Sequence, residues 1–299
     1  MSEHSTIQRA CGEQGFTFLV VIWALSILIV LSLVFGASVS EHLKTTRNAI
    51  DNARAEAFAD AGVELAVLDL SAWRGRAVRE ARFPRDGRSV SCSLGNGDWL
   101  NIAVEDEVGK VDLNMADERL IGAALLAAGV AEDNVARYAQ QILDYRDTDS
   151  DRRPLGAEAE EYREQGRAGP KNRPFDAIEE IEQVLGMPSG LADALRPYAT
   201  IYSGQLTIDA NLAHRRLLTA LSSSSVGTNL VSGAGGGRAF RILAEARTPQ
   251  GAVFVREAVL EFVAAQPGAY AFRRWRKGPA PDTIDMLDQA PPVSDLPPC

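Results

Sequence analysis

The stretch FTFLVVIWALSILIVLSLVFGASVS, residues 16–40, runs for 25 positions without a charged side chain. As an α-helix it rises about 37 Å, enough to cross the hydrocarbon core of a bilayer with some tilt. The segment before it, MSEHSTIQRACGEQG, is polar. A cleaved secretory signal would have a shorter apolar run followed by an A-x-A-like site, and this segment has neither. Residues 16–40 therefore read as a membrane span. Beyond Glu41, small or apolar residues recur at Ile50, Ala53, Ala57, Ala61, Leu65 and Leu68, a spacing of three or four. No Pro or Gly interrupts from Ala37 to Ala61. One helix from about Phe16 to Leu70, roughly 80 Å long and amphipathic in its second half, is expected. The alternative is an anchor followed by a separate juxtamembrane helix.

The composition is that of a folded chain, 46% hydrophobic and 24% charged over 299 residues. Its net charge of −9 argues against a nucleic-acid partner, because phosphate backbones are held mainly by Lys and Arg. The three cysteines, Cys11, Cys92 and Cys299, are too few for a disulfide scaffold or a Cys-rich zinc site. The three histidines, His4, His42 and His214, are scattered and suggest no metal site.

Outward from the span, Ser89–Leu94 alternates, turns at Gly95-Asn96-Gly97-Asp98 and returns through Trp99–Val104, the pattern of a β-hairpin. Phe240–Ala246 and Val253–Phe262 around Pro249-Gln250-Gly251 form a second, and Ala269–Lys277 supplies a further strand. The basic run Arg273–Lys277 reads as a solvated edge that could meet an acidic neighbour. Residues 114–200 look helical. The fold class is α+β: a long N-terminal helix, an antiparallel sheet and a large inserted helical region. The proline-rich tail, 278–299, is expected to be extended and mobile.

Val111-Asp112-Leu113-Asn114-Met115-Ala116 is echoed by Ile208-Asp209-Ala210-Asn211-Leu212-Ala213, with Leu120 and Leu217 at matching positions. Each copy reads as a strand delivering into a helix, with Asn as the N-cap. The second copy soon meets Ser222–Ser225 and Gly235–Gly237, so its helix should be short. Ile178–Tyr198 resembles a helix-hairpin-helix, a DNA-binding element. Pro188, however, stands where a backbone N–H would be offered to phosphate, and Glu179, Glu180 and Glu182 make the field repulsive. A packing module fits better.

Asp144, Asp147, Asp149 and Asp151 crowd four carboxylates into eight positions, and Glu158 and Glu161 follow after Gly156. Calcium takes six to eight oxygens, which acidic side chains on a bending loop provide. The 12-residue EF-hand pattern with its central Gly is missing. On residues alone, a solvated acidic loop and a calcium loop both stand.

A polar leader ending in Gly15, then Phe16 and a long apolar helix, resembles the type IV prepilin and pseudopilin signal. The resemblance implies cleavage after Gly15 by a prepilin peptidase, and methylation of the new Phe16 amine. Most pilins carry Glu at the fifth mature position. Here that position is Val20, and the member lacking this Glu is the one at the filament tip. With the interrupted sheet and the Asp-rich loop leading to Gly156-Ala157-Glu158, the chain resembles the general secretion pathway protein K family, the minor pseudopilins of the type II secretion system.

That resemblance implies a non-enzymatic protein and a pilin-like fold. The expected parts are a leader (1–15), a spanning half-helix (16–40), a pilin-like α/β domain (41–112 and 203–277) and an inserted helical domain (113–202). It implies an inner-membrane anchor with the bulk of the chain in the periplasm. The implied partners are other minor pseudopilins and the major one, which this chain would nucleate, besides the prepilin peptidase and inner-membrane lipid. It also implies calcium on Asp144, Asp147, Asp149 and Glu158, with Asp151 and Glu161 as further candidates. Cys92 and Cys299, the pair left after leader removal, could be bridged or free. The rival readings are a minor pilin of a type IV pilus and a membrane-anchored helix-hairpin-helix receptor for DNA uptake.

Overall fold

In the computed structural model, residues 11–75, 80–223, 230–231, 237–263, 269–279 and 296–299 are described. Most of the leader, Ser224, Ser225, Gly235, Gly236 and most of the tail lie outside them. The chain divides into two units, Met1–Arg54 and Ala55–Cys299.

Helix α1 runs unbroken from Cys11 to Arg74. It begins upstream of Gly15, so the leader junction is not an element boundary. Within the first unit, Phe18–Phe35 has a mean hydropathy of 3.0 and its side chains are exposed, which suits a helix surrounded by lipid rather than by protein. Within the second unit, Ala55, Ala59, Val63, Ala66, Val67 and Leu70 are buried along one face. Gly62 lets that face approach the sheet: a Cβ there would stand 3.0 Å from Ala244 Cβ.

The sheet has five antiparallel strands in the order β1 (Asp86–Gly95), β2 (Asp98–Asp106), β7 (Ala239–Arg247), β8 (Val253–Phe262) and β9 (Tyr270–Lys277). Strands β1 (Asp86–Gly95) and β2 (Asp98–Asp106) form the first expected hairpin. Its turn needs positive φ at two successive residues, and Asn96 (54°) and Gly97 (83°) supply it. Strands β7 (Ala239–Arg247) and β8 (Val253–Phe262) form the second hairpin, and β9 (Tyr270–Lys277) closes the edge. Leu100, Ile102 and Val104 alternate inward with Phe240, Ile242, Ala258 and Leu260 to pack beneath the helix.

The chain between β2 and β7 folds around a second core. A short strand β3 (Val111–Asp112) pairs in parallel with β4 (Ala199–Thr200), and β5 (Ile208–Asp209) pairs with β6 (Leu230–Val231). The helices are α2 (Glu118–Ala127), α3 (Glu132–Arg146), α4 (Ala159–Glu164), α5 (Leu191–Leu195) and α6 (Arg215–Ser223). Ile121, Leu125, Ile142, Ile181, Leu195 and Leu217 lie at the centre.

Three expectations change. The pilin-like domain was expected to resume at residue 203, but Ile208, Leu217, Ala220 and Leu221 pack into the helical core. The echoed Asn residues are not N-caps. Asp117 caps α2 by accepting from the Leu120 N–H, while Asn114 exchanges two hydrogen bonds with the Phe175 backbone. What the echo encodes is an Asp-led turn: Asp112 Oδ1 accepts from the Asn114 N–H, and Asp209 Oδ1 accepts from the Asn211 N–H. Nor is the end of the tail free. Cys299 is bonded to Cys92 with Cα atoms 4.9 Å apart, its N–H donates to Ser93 O, and Arg82 donates to Cys299 O.

Candidate functional site

The acidic loop springs from the end of α3. Asp144 lies in the last turn with its carboxylate fully buried, and Asp147 is the residue at which the helix stops. Arg146, between them, points the other way and donates to Leu113 O and Ala116 O, fixing the helix end against the turn after β3. Tyr145 stacks on Phe175 with ring centroids 5.1 Å apart. The far side is held by Asn172, whose N–H donates to Tyr145 O and whose side chain donates to Asp149 O. Packing from several segments therefore sets the loop.

Gly156 is required by close approach. A Cβ at that position would lie 1.8 Å from Asp144 Oδ2. The chain then reaches Glu158, whose N–H donates to Glu161 Oε2 at 2.9 Å. Both carboxylate oxygens of Glu158 are buried without a hydrogen-bond partner, as is Asp147 Oδ1. Burial first, and then the charges of Asp144, Asp147, Asp149 and Glu161, push the Glu158 carboxyl up to about 7. Tyr162 anchors the loop's end: its hydroxyl accepts from the Leu185 N–H at 2.9 Å, and burial pushes it up to about 12.

Of the residues singled out in the sequence, Asp144, Asp147 and Glu158 are thus brought into one electrostatic neighbourhood. Asp149 and Asp151 stay exposed; Asp149 Oδ1 accepts from the Asp151 N–H. Glu161 faces Arg152 at 3.3 Å. Among the described residues no three metal-binding side chains are drawn close enough to hold an ion as they stand. The donors nevertheless fit a hard divalent cation. All are oxygens, and three of those oxygens are buried and unpartnered. Sequence reasoning missed Arg153, whose Nη1 lies 2.5 Å from Asp144 Oδ1 and from Asp147 Oδ2. Only its place beside Asp151 and Arg152 hinted at a role, and an exposed Arg would look the same.

The hairpin-like segment forms a 3-10 turn (Ile178–Gln183) and α5, with Ile178, Ile181, Leu191 and Leu195 buried. Its acidic flank meets the basic edge strand: Glu179 pairs with Arg274 and Arg276 of β9 at 2.7 and 3.4 Å, and with Arg196 at the end of α5 at 2.7 Å. Burial would raise the Glu179 carboxyl, but these hydrogen bonds and charges bring it down to about 2. At the other end of the chain, Phe16 and Val20 are exposed on α1.

Residues 100–204 match the family described as type II secretion system (T2SS), protein K. Among solved structures, the chain is similar to one in the crystal structure of the GspK-GspI-GspJ complex from the enterotoxigenic Escherichia coli type 2 secretion system. The TM-score is 0.56 at 15% identity, covering 79% of this chain and 100% of that one. At that identity the likeness establishes a shared fold. No protein of curated function matches the sequence.

Proposed function

We propose that this chain, whose residues 100–204 match the type II secretion system protein K family, is the minor pseudopilin at the tip of the pseudopilus. The observation that carries the reading is the family match, which spans β2, the acidic loop and the hairpin-like segment, within an α+β fold shared with the similar structure. The helical core supports a tip position, because a bulky insertion on a pilin-like unit is hard to bury inside a filament. Val20 supports it too, since a carboxylate in the bilayer must be paired and none stands there.

In this reading the leader is cut after Gly15 and Phe16 becomes the methylated N-terminus. The apolar half of α1 anchors the protein in the inner membrane, with the remainder in the periplasm. It has no enzymatic role; it joins other minor pseudopilins and nucleates the major one. Calcium is held by Asp144, Asp147, Asp149 and Glu158, with Asp151 or Glu161 completing the oxygens, and its charge relieves the crowding around Glu158.

The deciding experiment purifies the full chain in detergent from a host with the prepilin peptidase and other pseudopilins. The expected result is a mature protein beginning at Phe16 that co-purifies with the other minor pseudopilins. An intact leader, or recovery of the chain free of them, contradicts the reading.

A further inference from the structure

The acidic loop already contains a cation. Arg153 Nη1 bridges Asp144 and Asp147, and its backbone N–H donates to Asp144 Oδ2 at 3.2 Å. Asp144 is completely buried, and an isolated carboxylate there would be costly. Glu158, only 6% exposed, contributes a further carboxylate that Arg153 does not neutralise. One guanidinium thus serves buried Asp144 and half-buried Asp147 and, among the described residues, leaves buried Glu158 without a counter-charge. The guanidinium side chain is itself 34% exposed, so solvent lies next to it, and Arg152 beside it already turns outward to Glu161.

We infer that Arg153 is a tethered competitor for the divalent cation: it neutralises Asp144 and Asp147 in the cation-free loop and must release both for the ion to bind. This rests on the calcium reading above. Calcium needs carboxylate oxygens at roughly 2.3–2.6 Å, and a guanidinium bonded to those oxygens occupies the same ground and repels a second cation. The consequence is an exchange. Without calcium the loop stays ordered through Arg153; with calcium the arginine swings to solvent and the ion, carrying twice the charge, also satisfies Glu158. The arginine lowers the apparent calcium affinity and keeps the helical core folded when calcium is scarce.

The test titrates calcium chloride by calorimetry into the detergent-solubilised full chain, comparing wild type, Arg153→Gln and Arg153→Lys. Arg153→Gln is expected to bind calcium at least about tenfold more tightly, since charge-assisted hydrogen bonds no longer have to be broken. Its melting temperature should fall without calcium and return to the wild-type value with it. Arg153→Lys should lie between the two, and it carries the comparison if the Gln protein does not fold. A second readout follows the arginine directly: calcium should increase phenylglyoxal labelling of Arg153 in the wild type, mapped by peptide mass spectrometry. Wild-type calcium binding with unchanged or weaker affinity in both variants, and no gain in labelling, overturns the competitor role while leaving the calcium site standing. Absence of calcium binding in all three proteins overturns both.

Discussion

Glu257 in the sheet and Glu158 in the helical half are both buried carboxylates, at 1% and 6% exposure, yet their surroundings drive them in opposite directions. Burial alone would raise Glu257, but Arg241 and Arg276 stand at 2.9 and 2.7 Å and lower it to about 2. Glu158 has burial, acidic neighbours and, among the described residues, no bonded cation, and rises to about 7. The sheet carries its own counter-ions on adjacent strands, so its charge is settled by strand register. The helical half leaves a deficit of positive charge at one loop. A region that completes its electrostatics internally is a scaffold; one that does not is where an external ion has something to offer.

The largest expected effect tests the sheet side. Cys299→Ser removes a bond between residues 207 apart in sequence, and loss of that constraint should cost about 5 kcal/mol. Hydrogen exchange should quicken in β1 and β2 and leave α2 and α3 unchanged. Two free thiols in the full chain purified in detergent without reductant would show that the bond does not form. Next, Glu257→Gln takes from buried Arg241 the nearer of its two carboxylates, Glu105 remaining at 3.7 Å, and should destabilise by about 3 kcal/mol. The same site has a pH signature. Because its folded pKa lies below the unfolded value of 4.5, its stabilisation is present above pH 4.5 and is lost as pH falls toward 2. Acid unfolding of the wild type should show that loss, and the Gln variant should lack it.

On the helical side, calcium at 100 times its dissociation constant should stabilise the full chain by about 2.7 kcal/mol, with equal magnesium doing less. Asp147→Ala with Asp149→Ala should abolish that response and leave leader cleavage intact. A melting curve indifferent to calcium and to chelator would remove the contrast between the halves. The smallest effect is local: Asp117→Ala takes the N-cap from α2 and should cost about 1 kcal/mol, read from denaturant midpoints.

Most of the sheet was legible because its signals are short-range. Asn96-Gly97 specifies its own turn, and alternation in Leu100–Val104 and Phe240–Ala246 assigns faces without knowledge of the partner strand. The carboxylates of the acidic loop were legible as a cluster, since spacing alone crowds them. What they bond to was not. Arg153 looks like any loop arginine until the bend at Gly156 brings the chain back over Asp144.

By itself, then, the sequence determined the apolar span, the helical periodicity after it, the two hairpins and the concentration of negative charge between Asp144 and Glu161. Each is a matter of periodicity, turn chemistry or composition within one contiguous stretch of chain. Only the tertiary structure decided that Asn114 serves Phe175 rather than a helix end, and that residues 203–223 join the helical core. The joining of Cys92 to Cys299, and the arginine standing between Asp144 and Asp147, were decided there as well. Those outcomes depend on which distant segments meet, and the free energy that selects the meeting comes from burying the whole core at once. No local pattern carries that information.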